Sequence, residues 1–275
     1  MSALGAAAQA PLGRRLAEIT EIRELGVYRV IAVADPGAPA PAPGQFAMLA
    51  AAEGWGGGRD ERPFLARAFS VARHEDGTSQ FLLEDVGPGT RRLCELGPGE
   101  RLWVAGPFGR PFSAPAEGRR AVLVGGGVGI APLAILQDEL ERANVPATVL
   151  LGFRDSARVP GAELLRDAAL ATDDGSAGHR GLVTALLEAE LQRDPSASVY
   201  ACGPAGMLEG VRALCEGAGV PAQLALESGM ACGYGACYGC VVPTRDGGYL
   251  RVCVDGPVID AALLERVEEH AGAHA

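Results

Sequence analysis

The chain has 275 residues, close to half of them hydrophobic, and a formal net charge of -10 at neutral pH. That length implies two or three domains, and the acidic balance argues against a nucleic-acid-binding surface or attraction to acidic membranes. All 24 basic residues are Arg, which excludes a Walker-type phosphate loop and a Schiff-base lysine.

The first residues, MSALGAAAQAPLGRR, lack the basic and bulky apolar segments of a signal peptide and read as a frayed tail. No later apolar run is long enough to span a membrane. The expectation is a cytoplasmic chain in a reducing compartment, where clustered cysteines bind metals more often than they form disulfides. From about Arg14 to Phe112 the pattern is of strands: ELGVYRVIAVA, GQFAMLAA, RAFSVARHEDGTSQFLLEDV with a hairpin signal at EDG, and RLWVAGPFG. One short helix fits, along RRLCEL. Many short strands with little helix predict a small antiparallel barrel. Two loops within it, PGAPAPAPG and AAEGWGGGRDERP, are expected to be mobile.

From about Glu117 strand and helix alternate: AVLVG, GGVGIAPLAILQDELERAN, ATVLLGFRD, GAELLRDAAL (read as a helix), GLVTALLEAELQRD, SVYACG and PAGMLEGVRALCEGAG. Such alternation predicts a parallel sheet covered by helices. A small cysteine-rich region follows. The fold class is thus multidomain β plus α/β, divided at 1–115, 116–221 and 222–275.

That last region holds four of the seven cysteines, spaced Cys232-x4-Cys237-x2-Cys240-x12-Cys253. A C-x4-C-x2-C run with a distant fourth Cys is the plant-type [2Fe-2S] spacing. Three ligands from one loop require a tight curl, for which Gly233, Gly235 and Gly239 supply small volume. A hairpin turning at RDGG would return Cys253 to that loop. The competing reading is a zinc site, which usually takes two C-x2-C units where this chain has one. Cys94, Cys202 and Cys215 are scattered, and Cys215 reads as a core residue.

Two weaker signals lie upstream. In Arg67-Ala68-Phe69-Ser70 an Arg could pair with a phosphate, an aromatic could stack on a ring and a Ser could donate to an oxygen, although a plain strand reads the same way. Gly89-Thr90 opens the short helix, where a phosphate or an ordinary helix cap is served equally well. Further on, Gly125-Gly126-Gly127-Val128-Gly129 joins a strand to a helix and could admit a dinucleotide pyrophosphate. It is out of register with G-x-G-x-x-G, so a tight glycine turn competes with that reading. Cys202-Gly203-Pro204 ends another strand and should lie beside it. The polar loop Thr172-Asp173-Asp174-Gly175-Ser176 could bond ribose hydroxyls and repel a 2′-phosphate, favouring NAD over NADP, or be a solvated acidic loop. The four histidines, at 74, 179, 270 and 274, suggest no ligand cluster, and no general base stands out.

Taken in order, Arg67-Ala68-Phe69-Ser70, Gly89-Thr90, Gly106-Pro107-Phe108-Gly109, GGGVGIAP and Cys202-Gly203-Pro204 resemble the motifs of the ferredoxin–NADP reductase superfamily. ESGMACGYGACYGC with RVCVDGPV, and TDDGSAGHRGLVT, resemble the electron-transfer subunits of bacterial NAD-dependent dihydroorotate dehydrogenase. The resemblance spans the chain apart from its two ends. It implies an FAD barrel, an NAD module and a [2Fe-2S] domain. It implies that FAD is held by Arg67, Ala68, Phe69 and Ser70, by the backbone of Leu82, Leu83 and Glu84, and by Gly89 and Thr90. It implies a cluster on Cys232, Cys237, Cys240 and Cys253, and the NAD module it implies would take its contacts at the residues read above, Gly125, Gly126, Gly127, Gly129, Cys202, Gly203 and Pro204. It also implies a partner, an FMN-containing catalytic subunit that oxidises dihydroorotate to orotate, in a heterotetramer with two copies of each chain. Electrons would pass from that FMN through the cluster and FAD to NAD. Phe69 stands where the superfamily often has Tyr, and the glycine-rich insertion at Trp55 has no counterpart. The alternatives are a reductase subunit serving a hydrogenase, sulfite reductase or transhydrogenase, and a non-enzymatic zinc module.

Overall fold

The structure is a computed structural model that describes residues 13–56 and 63–267. Six strands, β1 (Arg15–Leu25), β2 (Tyr28–Ala34), β3 (Phe46–Ala51), β4 (Arg67–Glu75), β5 (Thr78–Glu84) and β6 (Arg101–Phe108), close into an antiparallel barrel in the order β1-β2-β5-β4-β3-β6. Alternation builds it. Ile19, Ile31, Val33, Leu49, Phe81 and Val104 fill the interior, while the other face of each strand meets solvent or a neighbouring unit. The β4–β5 hairpin turns at Asp76-Gly77, both with positive φ, as the EDG signal predicted. A short helix, α1 (Pro88–Cys94), follows β5.

The end of the Ala/Pro stretch is packed against the rest of the protein. Ala42 is buried, Gln45 accepts from the Ala42 N–H and donates to the Gly109 carbonyl, and Gly44 lies against Phe112 and Val258. Proline fixes the chain's path and apolar contacts then hold it in place. The six central residues of the other loop, 57–62, lie outside the described residues, as do the N-terminal twelve and His270 and His274.

The second unit is a sheet of seven strands. Its strands are β7 (Arg120–Gly126), β8 (Ala147–Phe153), β9 (Ala168–Thr172), β10 (His179–Arg180), β11 (Ala197–Cys202), β12 (Ala222–Ala225) and, from the C-terminal region, β15 (Val258–Asp260). Their order is β10-β9-β8-β7-β11-β12-β15, parallel throughout except for the last pair. Helices α2 (Ala131–Arg142), α3 (Val183–Arg193) and α4 (Ala205–Ala218) cover it. The segment GAELLRDAAL is not a helix. A 3-10 turn spans Val159–Leu164, Asp167 takes a left-handed φ of 54, and Ala168–Thr172 pairs with β8. The ladder outweighs the helix preference of its alanines.

The C-terminal unit contains the hairpin β13 (Val241–Pro243) and β14 (Tyr249–Arg251), paired antiparallel as expected. No helix among the described residues is long and apolar enough to cross a membrane.

Candidate cofactor-binding site

The ladder between β4 and β5 runs from Glu75↔Thr78 to Val71↔Phe81 and stops. Beyond it β4 stays paired with β3 through Arg67–Ser70, and β5 stays paired with β2 through Leu82–Glu84. The strands therefore part into a wedge, each presenting backbone groups that no ladder satisfies, which is a demand for a partner. All seven of the residues from these two strands that were expected to hold FAD line this wedge. Leu82 and Leu83 are buried, so only their backbone is on offer there. Glu84 turns its carboxylate to Arg158, 2.9 Å away across the boundary with the second unit.

At the mouth of the wedge the Arg67 guanidinium lies over the start of α1. A Cβ on Gly89 would come within 2.6 Å of Arg67 Nε, so position 89 is kept bare by the arginine. Thr90 caps the same turn from within. Its Oγ1 accepts from the N–H groups of Val86 and Gly87, at 2.9 and 3.0 Å, and donates to the Gly87 carbonyl. Arg67 also lies 6.0 Å from the centre of the Trp55 ring, which gives the Gly/Trp insertion a place beside this cation.

The strand order reverses direction at β7, between β8 and β11, and ligands in such sheets gather at the carboxyl ends flanking that point. Both glycine-bearing tips are there. Gly125 pairs with Cys202. A Cβ on Gly129 would meet the Cys202 carbonyl at 2.5 Å, and one on Gly126 would meet Met207 and Pro204. A 3-10 turn, Gly127–Ile130, intervenes before α2 and packs beside β5, so the glycine tip faces the wedge. Burial in apolar surroundings pushes the Cys202 thiol well above its usual range, and it is neutral. Thr172 is buried and ties the acidic loop shut through the Ala177 backbone, leaving Asp173 and Asp174 exposed at the same end of the sheet.

The four thiols converge as two pairs. Cys240 and Cys253 are buried with sulfurs 3.2 Å apart. Cys232 and Cys237 lie in the loop above, where the Cys237 thiol helps to lower that of Cys232. Among the described residues, no group of three or more Cys, His, Asp or Glu side chains is arranged to hold a metal ion. Two pairs suit a two-iron core, with two thiolates for each iron. Gly233 and Gly235 have φ of +80 and +86, which permits the curl. Gly239 has no such angle, and Tyr238, at φ +58, takes that part with Arg251 over its ring.

Burial raises the Cys232 thiol, but N–H groups of Tyr234, Cys237 and Ala236 and the Cys237 thiol outweigh it and bring the group down to about 6. Cys253 is pushed up to about 12 by burial and by Cys240. The Cys232 thiolate thus forms readily while that of Cys253 is resisted, and a cationic centre would favour both.

Sequence reasoning missed Met48 and Arg158. Met48, on β3, lies against Gly233 of the thiol loop. The alternation in FAMLAA puts Phe46 and Met48 on one face, but nothing local says which distant segment covers it.

Residues 227–265 match the family described as the iron-sulfur cluster binding domain of dihydroorotate dehydrogenase B. The chain is 38% identical over 257 residues, 92% of each chain, to a probable dihydroorotate dehydrogenase B (NAD(+)), electron transfer subunit, of Methanopyrus kandleri. It is 39% identical to the electron transfer subunit of Bacillus caldolyticus, covering 80% of this chain and 85% of that one. Among solved structures it is similar to an NADH-dependent reduced ferredoxin–NADP oxidoreductase studied for flavin-based electron bifurcation. There the TM-score is 0.78 at 26% identity, over 93% of this chain and 92% of the other. A ferredoxin reductase of carbazole 1,9a-dioxygenase shares the fold, with a TM-score of 0.63 at 24% identity over 76% of this chain and 66% of that one. With a ferredoxin-reductase-like fold and a C-terminal segment matching an iron-sulfur domain, and with relatives matched over nearly its whole length, the chain belongs to the family of dihydroorotate dehydrogenase B (NAD(+)) electron-transfer subunits.

Proposed function

We propose that this chain takes electrons from an FMN-containing catalytic subunit that oxidises dihydroorotate, and delivers them to NAD, in the synthesis of UMP. When bound, the [2Fe-2S] cluster supplies one-electron passage, FAD supplies conversion between one- and two-electron steps, and NAD accepts the hydride. The chain's own residues bind, orient and exclude water. Arg67 offers its cation to the FAD phosphates above Gly89 and Thr90, Ala68, Phe69 and Ser70 line one side of the wedge, and the backbone of Leu82, Leu83 and Glu84 lines the other. Gly125, Gly126, Gly127 and Gly129, with Cys202, Gly203 and Pro204, leave room for NAD at the switch point. Cys232, Cys237, Cys240 and Cys253 hold the cluster, and the loop's amides temper its charge. The functional division we adopt is 1–115 for FAD, 116–221 for NAD and 222–275 for the cluster.

The observation that carries this reading is that the hairpin returns Cys253 to Cys240, beneath a cysteine loop that packs through Gly233 against the strand next to the FAD wedge. Tyr234, Tyr238 and Tyr249 are exposed around that loop, and the catalytic subunit docks there, in a complex of two copies of each chain. Changing Cys237→Ser is expected to remove the cluster and the coupled reduction of NAD by dihydroorotate, while NADH oxidation by artificial acceptors at FAD survives. Normal coupled turnover in that variant would refute the relay. A colourless, zinc-loaded native protein would refute the cofactor assignment. Copurification with an FMN subunit active on dihydroorotate, followed by native mass measurement, tests the partner and its stoichiometry.

A further inference from the structure

Strand β3 has two faces. Ala47, Leu49 and Ala51 point into the barrel. Phe46 and Met48 point outwards, into an apolar cluster shared with Cys240, Cys253, Val242 and Val252. Met48 is only 4% exposed. A Cβ on Gly233 would come within 2.6 Å of Met48 Cγ and 2.8 Å of its Sδ, and Gly233 follows the ligand Cys232 in the chain. Across the ladder Met48 stands opposite Ala68, inside the Arg67–Ser70 segment, and opposite residues on one face of such a pair are in contact range. Met48 thus touches the thiol loop from the strand that pairs with the flavin strand.

A thioether on an unbranched stem is the side chain best able to fill an irregular gap between two independently shaped surfaces. Close packing there matters more than in an ordinary core, because an electron crosses packed atoms more readily than a void.

We propose that Met48 is a positioning residue for electron transfer, the packed junction between the cluster loop and the FAD wedge. This rests on the function proposed above. For each dihydroorotate oxidised, two electrons and two protons are released. The electrons cross this junction singly, then reach NAD together with one proton as a hydride, and the second proton goes to solvent. No bond to Met48 forms or breaks, and its sulfur is not oxidised.

The test uses the full chain carrying FAD and cluster, as wild type, Met48→Ala and Met48→Leu. Iron, labile sulfide and flavin contents are measured first. NADH is then mixed in anaerobically, and the bleaching of flavin and of cluster is followed separately by stopped flow. The cluster midpoint potential is measured by equilibrium titration, a readout independent of turnover. Flavin bleaching and the midpoint are expected to be unchanged. Cluster bleaching is expected to slow about tenfold in Met48→Ala, where a void opens, and to stay within about twofold in Met48→Leu, which refills it. If Met48→Ala fails to load its cluster, Met48→Val takes its place, with an intermediate slowing expected.

Wild-type bleaching rates in a loaded, shortened variant would overturn the proposal. So would a slowing matched by a shifted midpoint, because the driving force would then be the cause. Failure of NADH to reduce the cluster in wild type would strike the relay itself, and is told apart because it needs no variant.

Discussion

At the scale of single residues, the chemistry of the site follows from what is kept small and what is kept charged. Gly129 sits where a Cβ would lie 2.5 Å from the Cys202 carbonyl carbon and oxygen and 2.6 Å from Gly203 Cα. All three are backbone atoms that cannot rotate aside. Gly129→Ala is therefore expected to push the two nucleotide-facing tips apart, costing about 1–3 kcal/mol of stability and weakening NADH binding. Gly217, on α4 with open space where its Cβ would go, is the control. Gly217→Ala should gain roughly 0.5 kcal/mol and leave the KM for NADH unchanged. Urea melts and NADH titration of the two variants check both. The gathering of four cysteines was legible from sequence because cysteine is rare and its spacing is fixed by the covalent chain. Met48 was not, because its significance depends on a contact with Gly233, far away in the chain.

At the scale of elements, short segments are held by bonds that a substitution can remove cleanly. Helix α1 has only seven residues, and its entry depends on Thr90 Oγ1 accepting from two backbone N–H groups. Thr90→Ala should cost about 1 kcal/mol and loosen FAD, whereas Thr90→Ser, which retains the oxygen, should cost little. Denaturation of the apoprotein and flavin release rates separate the two effects. At the opposite end of the sheet, Arg120 links β7 to the end of α3 through Glu190, at 2.7 Å, and Asp194, at 2.8 Å. Asp194 is held down to about 2 by Ser196 first and then Arg120. Glu190 is raised by burial but lowered overall by Arg193 and Arg120. Both carboxylates have folded pKa values below their unfolded ones, so the stability they contribute is full above the ordinary carboxylate range. It is lost as pH falls from about 5 towards 2. Arg120→Gln should flatten part of that acid slope, as measured by urea midpoints across the range, with Ser196 and Arg193 retaining the remainder. Elements were legible where local pattern and tertiary demand agree, as in the Asp76-Gly77 hairpin and α4. GAELLRDAAL was misread because its partner strand, β8, is what makes it extended.

At the scale of the molecule, the three units are interlocked. The C-terminal segment passes between the other two: Gly109 and Gly44 of the barrel region lie against Pro257 and Val258, while β15 extends the parallel sheet. The barrel and the sheet are joined directly as well. Arg73 pairs with Asp138 of α2, and Arg158 pairs with both Asp155 of its own unit and Glu84 at the edge of the wedge. Beneath that pair the Tyr28 hydroxyl is buried without a partner, and burial, with Glu84 next, raises its pKa. None of this could be read from sequence, since each partner is unremarkable on its own strand or turn. Arg158 fixes the end of β5 relative to the unit that carries the glycine tip, and hence the two surfaces proposed above to hold FAD and NAD. Removing it leaves Glu84 mostly buried without its cation, beside a Tyr28 hydroxyl that does not bond to it in this structure. Arg158→Ala is expected to cost about 1–3 kcal/mol and to slow flavin reduction by NADH, leaving the step from flavin to cluster at its wild-type rate. Faster hydrogen exchange along Leu82–Glu84 and Gly127–Ile130 should accompany it, because both segments lose the same tether. The paired exchange Glu84→Arg with Arg158→Glu should recover part of both losses, since the attraction is restored while the flanking Asp155 then opposes a like charge. Unchanged exchange and unchanged flavin reduction in Arg158→Ala would show that apolar packing alone sets the spacing of the two units.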